Sequence, residues 1–311
     1  MRTIRTIYLC VLVLICVFAA LADQPRFTLL IPSLRGVGAL TNCTATDITN
    51  DNIIIGSCDD PTGRTRGWAF DGRRFREITV PQSFDPNFNG DPTTAYPFPR
   101  DNGVTLQAIN KDRVITGWVV SPTLIGSDFA SFVRNAYGVF RVEVPGSILT
   151  EVTGINDAGI IVGDYKHANG NYYGFKLING VYTSFTVPWS TMTSANDINN
   201  KGEIVGITGS TNIGFKIDDT GMHQVTVPGA ALLSVRGIND DGTIVGIYAT
   251  DMKVTNTHGF VMVGTTILNL DVSGAMITSP FSINNSGRVV GYAAMLKTDG
   301  TCCESRAFVT N

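Results

Sequence analysis

Apolar and polar residues alternate along this chain in short runs interrupted by turn residues, and beyond residue 22 no segment keeps a helical period. Short apolar runs bounded by Gly, Asn, Asp and Pro predict β-strands joined by tight turns. The runs are not independent. One segment recurs six times: DITNDNIIIG (Asp47–Gly56), AINKDRVITG (Ala108–Gly117), GINDAGIIVG (Gly154–Gly163), DINNKGEIVG (Asp197–Gly206), GINDDGTIVG (Gly237–Gly246) and SINNSGRVVG (Ser282–Gly291). In every copy the last glycine stands eight residues after the first isoleucine. Self-similarity of this kind marks a repeat architecture.

Each part of the repeat has a local reason. Asn and Asp side chains cap a turn, and glycine supplies the positive φ that a hairpin loop demands. The apolar residues on either side form two antiparallel strands, A and B. An aromatic residue in a Gly/Ala/Ser setting follows each copy, at Trp68, Phe132, Phe175, Phe215, Phe260 and Phe308, and marks strand C. A short turn (Asn179-Gly180, Thr220-Gly221) leads to strand D in FREITVP (Phe75–Pro81), FRVEVP (Phe140–Pro145), YTSFTVP (Tyr182–Pro188), HQVTVP (His223–Pro228) and the weaker ILNLDVS (Ile267–Ser273). The prolines stand where ladder bonding stops. Four strands in a unit of about 45 residues is the size of a propeller blade.

The two ends of the chain bear on closure. The sixth copy stops after its strand C, Arg306-Ala307-Phe308-Val309-Thr310, while Phe27-Thr28-Leu29-Leu30-Ile31-Pro32 has the spacing of a strand D and precedes the first strand A. Pairing the two closes a ring and leaves no open edge. An open solenoid has no need of this complementary pair and wants polar caps. The expectation is an all-β, six-bladed β-propeller of four-stranded antiparallel blades, closed by an N-terminal strand over residues 27–32. GIND-x-G-x-IVG followed by His-Gly-Phe (His258–Phe260) or Arg-Ala-Phe (Arg306–Phe308) resembles the HAF family of extracellular repeats. The resemblance covers essentially all of the chain after residue 22, though only His258 keeps the family's His and Trp68 replaces its Phe. It implies export and a propeller-like array, and it brings no catalytic residue.

Arg2 and Arg5, the apolar run Ile7 to Ala20, and Ala20-Leu21-Ala22 before Asp23 read as a cleaved signal peptide over residues 1–22, leaving residues 23–311 as one secreted domain, extracellular or periplasmic. Removing Arg2 and Arg5 from the 23 basic residues leaves 21 against 26 acidic ones, a net charge near −5. That disfavours nucleic acid, which needs clustered Lys and Arg. The one basic cluster, Arg64, Arg66, Arg73, Arg74 and Arg76, is local to one repeat and reads as a solvated strand edge. No later stretch is long enough to span a membrane, and a monomer is expected.

Cys43 lies five residues before Ile48 and Cys58 five after Ile53, which places them opposite each other on strands A and B; export permits a disulfide there. Adjacent Cys302 and Cys303 suggest a vicinal bridge. His167, His223 and His258 fall on different repeats, so no metal site is expected. No cofactor is implied either: Gly-x-Ser-x-Gly is absent and no phosphate loop has the strand-to-helix setting it requires.

In a four-stranded meander the A–B and C–D turns share one face of the ring, and the B–C and D–A loops share the other. The A–B turns are uniform, whereas the B–C loops vary and the link from Gln82 to Asn102 is longest and aromatic-rich. The variable face is therefore the expected working face. Tyr96, Phe98 and Trp118 are candidates to stack on a sugar or anchor a protein. Gln107, Asn196 and Arg236, at the upper ends of inner strands, are candidates to line the channel mouth. Asp47 and Asp197 are expected near the axis, satisfied by their turns. These features favour a non-catalytic module binding an extracellular polysaccharide or protein; the alternative is a polysaccharide hydrolase or lyase with its site at the channel mouth.

Overall fold

Each repeat copy closes a five-residue turn around one residue in the left-handed region, where glycine carries least strain. In four copies that residue is Gly159, Gly202, Gly242 or Gly287, with φ between 76° and 82°. In the first two copies Asn52 and Arg113 hold the same conformation at φ 65° and 63°. The strands flanking these turns assemble, in a computed structural model that describes residues 25–80, 103–120, 129–252, 257–297 and 303–311, into six four-stranded antiparallel sheets. No helix among the described residues is long and apolar enough to cross a membrane.

The first strand, β1 (Phe27–Leu29), belongs to the last sheet. Blade one comprises β2 (Thr41–Ile48), β3 (Ile54–Asp59), β4 (Thr65–Phe70) and β5 (Phe75–Ile78). Blade two is β6 (Val104–Ile109), β7 (Ile115–Val120), β8 (Phe129–Asn135) and β9 (Gly138–Arg141). Blade three is β10 (Ser147–Ile155), β11 (Ile161–His167), β12 (Tyr172–Ile178) and β13 (Val181–Phe185). Blade four is β14 (Thr193–Ile198), β15 (Ile204–Thr208), β16 (Gly214–Asp218) and β17 (Gly221–Val225). Blade five is β18 (Leu232–Ile238), β19 (Ile244–Ala249), β20 (Thr257–Val263) and β21 (Thr266–Leu270). Blade six is β22 (Ala275–Ile283), β23 (Val289–Met295) and β24 (Glu304–Thr310), completed by β1.

The inner strands β2, β6, β10, β14, β18 and β22 each touch the next around a closed ring. The molecule is a six-bladed β-propeller. Closure pairs Phe27 with Thr310, Thr28 with Val309 and Leu29 with Phe308. The closing strand is shorter than the expected 27–32. Leu30 still donates its N–H to Ala307 O at 2.8 Å, but Ile31 is 83% exposed and Pro32 has no N–H to offer.

The apolar core lies between blades. Within each IVG-type segment the first apolar residue faces its own blade's cluster and the second faces the next blade's, as with Ile54 and Ile55. Val162, Val205, Val245 and Val290 repeat the second role in blades three to six. Strands buried on both faces read as continuous apolar runs, which is why alternation fails there. The six strand-C aromatics are fully buried, each directly opposite the last repeat glycine, as in Gly163↔Phe175 and Gly206↔Phe215.

The turn asparagines do more than cap. Asn156 accepts N–H bonds from Ala158 and Ile160 in its own turn, while its Nδ2 donates to Asn199 O in the next blade at 3.1 Å. The same inter-blade link runs from Asn110 to Asn156, Asn199 to Asn239, Asn239 to Asn284 and Asn284 to Thr49. A second belt runs beside it: the backbone N–H groups of Lys111, Asp157, Asn200, Asp240 and Asn285 donate to side-chain oxygens of Asp157, Asn200, Asp240, Asn285 and Asn50. Both belts stop between blades one and two, where Thr49 has no amide to donate and Lys111 no oxygen to accept. There the Arg113 guanidinium forks onto both carboxylate oxygens of Asp51 instead.

Cys43 and Cys58 are joined by a disulfide across β2 and β3, with 4.2 Å between their Cα atoms. The link between blades one and two is the belts' gap, and this bridge fastens the blade on one side of it. Closing a loop of about 15 residues contributes roughly 3 kcal/mol on the loop-entropy account. Cys302, and with it the expected vicinal bridge, lies outside the described residues, as do residues 1–22, where a signal peptide is expected; Cys303 Sγ stands 3.5 Å from Met276 Sδ.

Candidate functional site

The last glycine of the repeat shapes the channel. A Cβ at Gly56, Gly117, Gly163, Gly206, Gly246 or Gly291 would lie 1.9–2.2 Å from the carbonyl oxygen of Thr44, Thr105, Glu151, Ser194, Ser234 or Ser279 on the inner strand. Without that Cβ the inner strand bends in, and just beyond the contact every inner strand carries a β-bulge. A bulge inserts one unpaired residue and re-aims its side chain. The six inserted residues are Thr46, Gln107, Thr153, Asn196, Arg236 and Phe281, and all six line one axial chamber of about 260 Å³.

The chamber lies toward the B–C and D–A loop side, with Glu151 and Ser234 higher on its wall. Its floor holds Asp47, Asp197 and Ser282, which also form the roof of a smaller cavity of about 70 Å³ among the A–B turns. Asp47 and Asp197 come from blades one and four, opposite each other in the ring. Each accepts the N–H of its own repeat isoleucine (Ile48, Ile198, both 2.8 Å) and that of the next blade (Ile109 at 2.7 Å, Ile238 at 2.9 Å). Ser282 Oγ also donates to Asp47. Burial pushes both carboxyls above the usual range, and for Asp197 the charge of Asp47 adds to the rise. These acids tie blades together at the axis; their own repeats supply only one of the three bonds to Asp47 and one of the two to Asp197.

Glu151 and Asp164 pair across β10 and β11. Burial raises the Glu151 carboxyl and pushes Asp164 up to about 7, against the hydrogen bond that Ser194 Oγ donates to Asp164. An acid whose pKa rises on folding binds its proton more tightly in the folded state, so stability falls as pH climbs through the window between the two values. For this group the window runs from about pH 4 to about pH 7. Asp51, held near 2 first by its bond from Arg113, affects stability only below pH 4 or so. The melting temperature is therefore expected to drop between about pH 4 and pH 7, and Asp164→Asn to lessen the drop, with Asp197, also pushed up to about 7, keeping its share. A melting temperature that rises over this interval in calorimetry contradicts the assignment.

Gln107, Asn196 and Arg236 stand where their repeat positions placed them, together in the chamber. Tyr96 and Phe98 lie outside the described residues. Trp118 is half-buried with its ring 5.3 Å from that of Phe129, and it does not line the chamber. Thr46, Thr153 and Phe281 were missed, although each stands two residues before its repeat isoleucine, as Gln107 does. That shared offset was the available signal. Among the described residues no group of three or more His, Cys, Asp and Glu is arranged to hold a metal ion.

No protein-family model matches the chain, and no curated protein matches it. Solved propeller structures do. TolB from Acinetobacter baumannii is 13% identical with a TM-score of 0.52, over 86% of this chain and 63% of that one. A mutant of AofleA from Arthrobotrys oligospora is 11% identical with a TM-score of 0.51, over 91% and 86%. Trypanosoma rangeli sialidase is 9% identical with a TM-score of 0.51, over 93% of this chain and 60% of that one. At such identities the likeness is one of fold alone.

Proposed function

We propose that this chain is an exported, non-catalytic binding propeller that seats one unit of an extracellular polysaccharide in its axial chamber. The observation carrying this reading is the convergence of six bulge side chains, four of them neutral or charged hydrogen-bonding groups beyond Thr46, on one space of about 260 Å³. Pockets that enclose drug-sized ligands span roughly 300–1,000 Å³, so this one suits a single sugar residue. Its place supports the same reading. The A–B turns are all five residues long and tied by the belts, whereas the B–C links run from four residues between β11 and β12 to eight between β23 and β24. The Cys43–Cys58 bridge favours an oxidising compartment, in keeping with export and with the likeness of the repeats to HAF sequences.

An oligosaccharide array followed by calorimetry tests this. Binding is expected for the intact protein and its loss for Ser234→Trp, which fills the chamber wall, with the melting temperature held. A blank array, or binding that survives Ser234→Trp and disappears only when Gln82–Asn102 is trimmed, overturns the chamber as the site. Release of new reducing ends from a bound polysaccharide overturns the non-catalytic assignment in favour of a hydrolase or lyase.

A further inference from the structure

Two successive bulge residues spend a donor on the next blade. Thr153 Oγ1 donates to Ala195 O at 2.7 Å, and Asn196 Nδ2 donates to Val235 O at 2.5 Å. Arg236 occupies the same repeat position one blade on, but it does not repeat the bond. Its guanidinium lies instead over the Phe281 ring, 4.2 Å from the centroid, and its Nε is shut off from solvent with no hydrogen-bond partner. Among the described residues Arg236 forms no ion pair within 4 Å. Phe281 is itself backed by Tyr292, with 5.9 Å between ring centroids, so the cation is held in place from behind.

A guanidinium stays charged inside proteins, and leaving such a charge half-buried without a counter-ion is costly. Stacking on an aromatic face recovers part of that cost and leaves the planar N–H fork available. The group that matches this fork is a planar oxyanion, taken in two parallel bonds. The rest of the chamber selects among oxyanions. Glu151, Asp47 and Asp197 line the same space, so a phosphate with nearly two charges meets more repulsion than a carboxylate with one. Gln107, Ser234 and the Oδ1 of Asn196, whose amide nitrogen is already committed, are suited to hydroxyl groups.

We propose that the chamber recognises a carboxylate-bearing sugar, with Arg236 binding the carboxylate and the neutral side chains the hydroxyls. This rests on the reading of the chamber as a sugar site and adds the class of sugar. It also makes Arg236 the specificity-determining residue.

The test uses the Nε–H signal of Arg236 in the full-length ¹⁵N-labelled protein, assigned by its absence from Arg236→Lys. The probes are D-glucuronate, D-glucose and sodium acetate. The expected result is a saturable shift with D-glucuronate, a shift with acetate at higher concentration, and none with D-glucose. Calorimetry should show D-glucuronate binding weakened about tenfold or more in Arg236→Lys, which keeps the charge but loses the fork. Equal binding of glucuronate and glucose, unchanged in the variant, keeps the sugar site and overturns the carboxylate. A shift with acetate and none with either sugar leaves an anion site and overturns the sugar. A signal that none of the probes moves overturns the assignment of Arg236.

Discussion

Gly163→Ala is expected to cost more than about 4 kcal/mol, enough to lower the melting temperature by roughly 10 °C or to prevent folding. The reason is a contact no relaxation removes cheaply. The new Cβ would stand 1.9 Å from Glu151 O and 2.9 Å from the Phe175 ring. One neighbour is backbone and the other is a fully buried aromatic. Overpacking a tight core typically costs about 1–3 kcal/mol, but here the inner strand must also give up its bulge. Gly159→Ala is the control. It sits at φ +76° with no atom within 4 Å of the added Cβ, so only left-handed strain of about 1–2 kcal/mol applies. Urea denaturation of both variants separates the effects; equal losses would contradict the close approach. Because Glu151 also lines the chamber, a folded Gly163→Ala should lose ligand binding as well.

A chain beginning at Arg35 is expected to lose more than about 5 kcal/mol and to aggregate. It lacks Leu30 and Leu34, 7% and 6% exposed, and the edge-to-face contact of Phe27 with Phe308 at 5.5 Å. Each buried leucine is worth roughly 1.5–3 kcal/mol, and β24 becomes an unpaired edge. The same residues at the other end of the chain should restore the protein. Asn311 N–H donates to Arg26 O at 3.0 Å, so a short turn can join the two strands as a hairpin. A permuted chain that starts at Gly36 and carries residues 25–35 after Asn311 is expected to melt near the parent and to run at the parent's size on gel filtration. If the permuted chain is as unstable as the truncated one, the stability of the ring does not come from strand pairing.

Much of this was legible along the chain. The turn, the two strands beside it, the buried aromatic and the Val-Pro end are local features, and six copies reinforce one another. The Cys43–Cys58 bridge followed from counting outward from the turn, because a hairpin converts sequence distance into register. Closure followed from a missing strand at one end and a spare one at the other. The belts did not follow. Asn156 looks like a turn cap, and it is one, but its Nδ2 reaches a carbonyl 43 residues away. Nor did the setting of Trp118, a candidate platform for a sugar or a protein: it lies on β7, half-buried beside Phe129, a neighbour that spacing does not reveal.

What the sequence by itself determined is the blade and the number of blades, since both are written in hydrogen-bonding turns and apolar runs only a few residues long. What only the tertiary structure decided is the chamber. Thr46, Gln107, Thr153, Asn196, Arg236 and Phe281 differ in chemistry and lie on six different strands, so no local preference groups them. They meet because a glycine in each blade lets the inner strand bend, and because the ring brings the six bends to one axis.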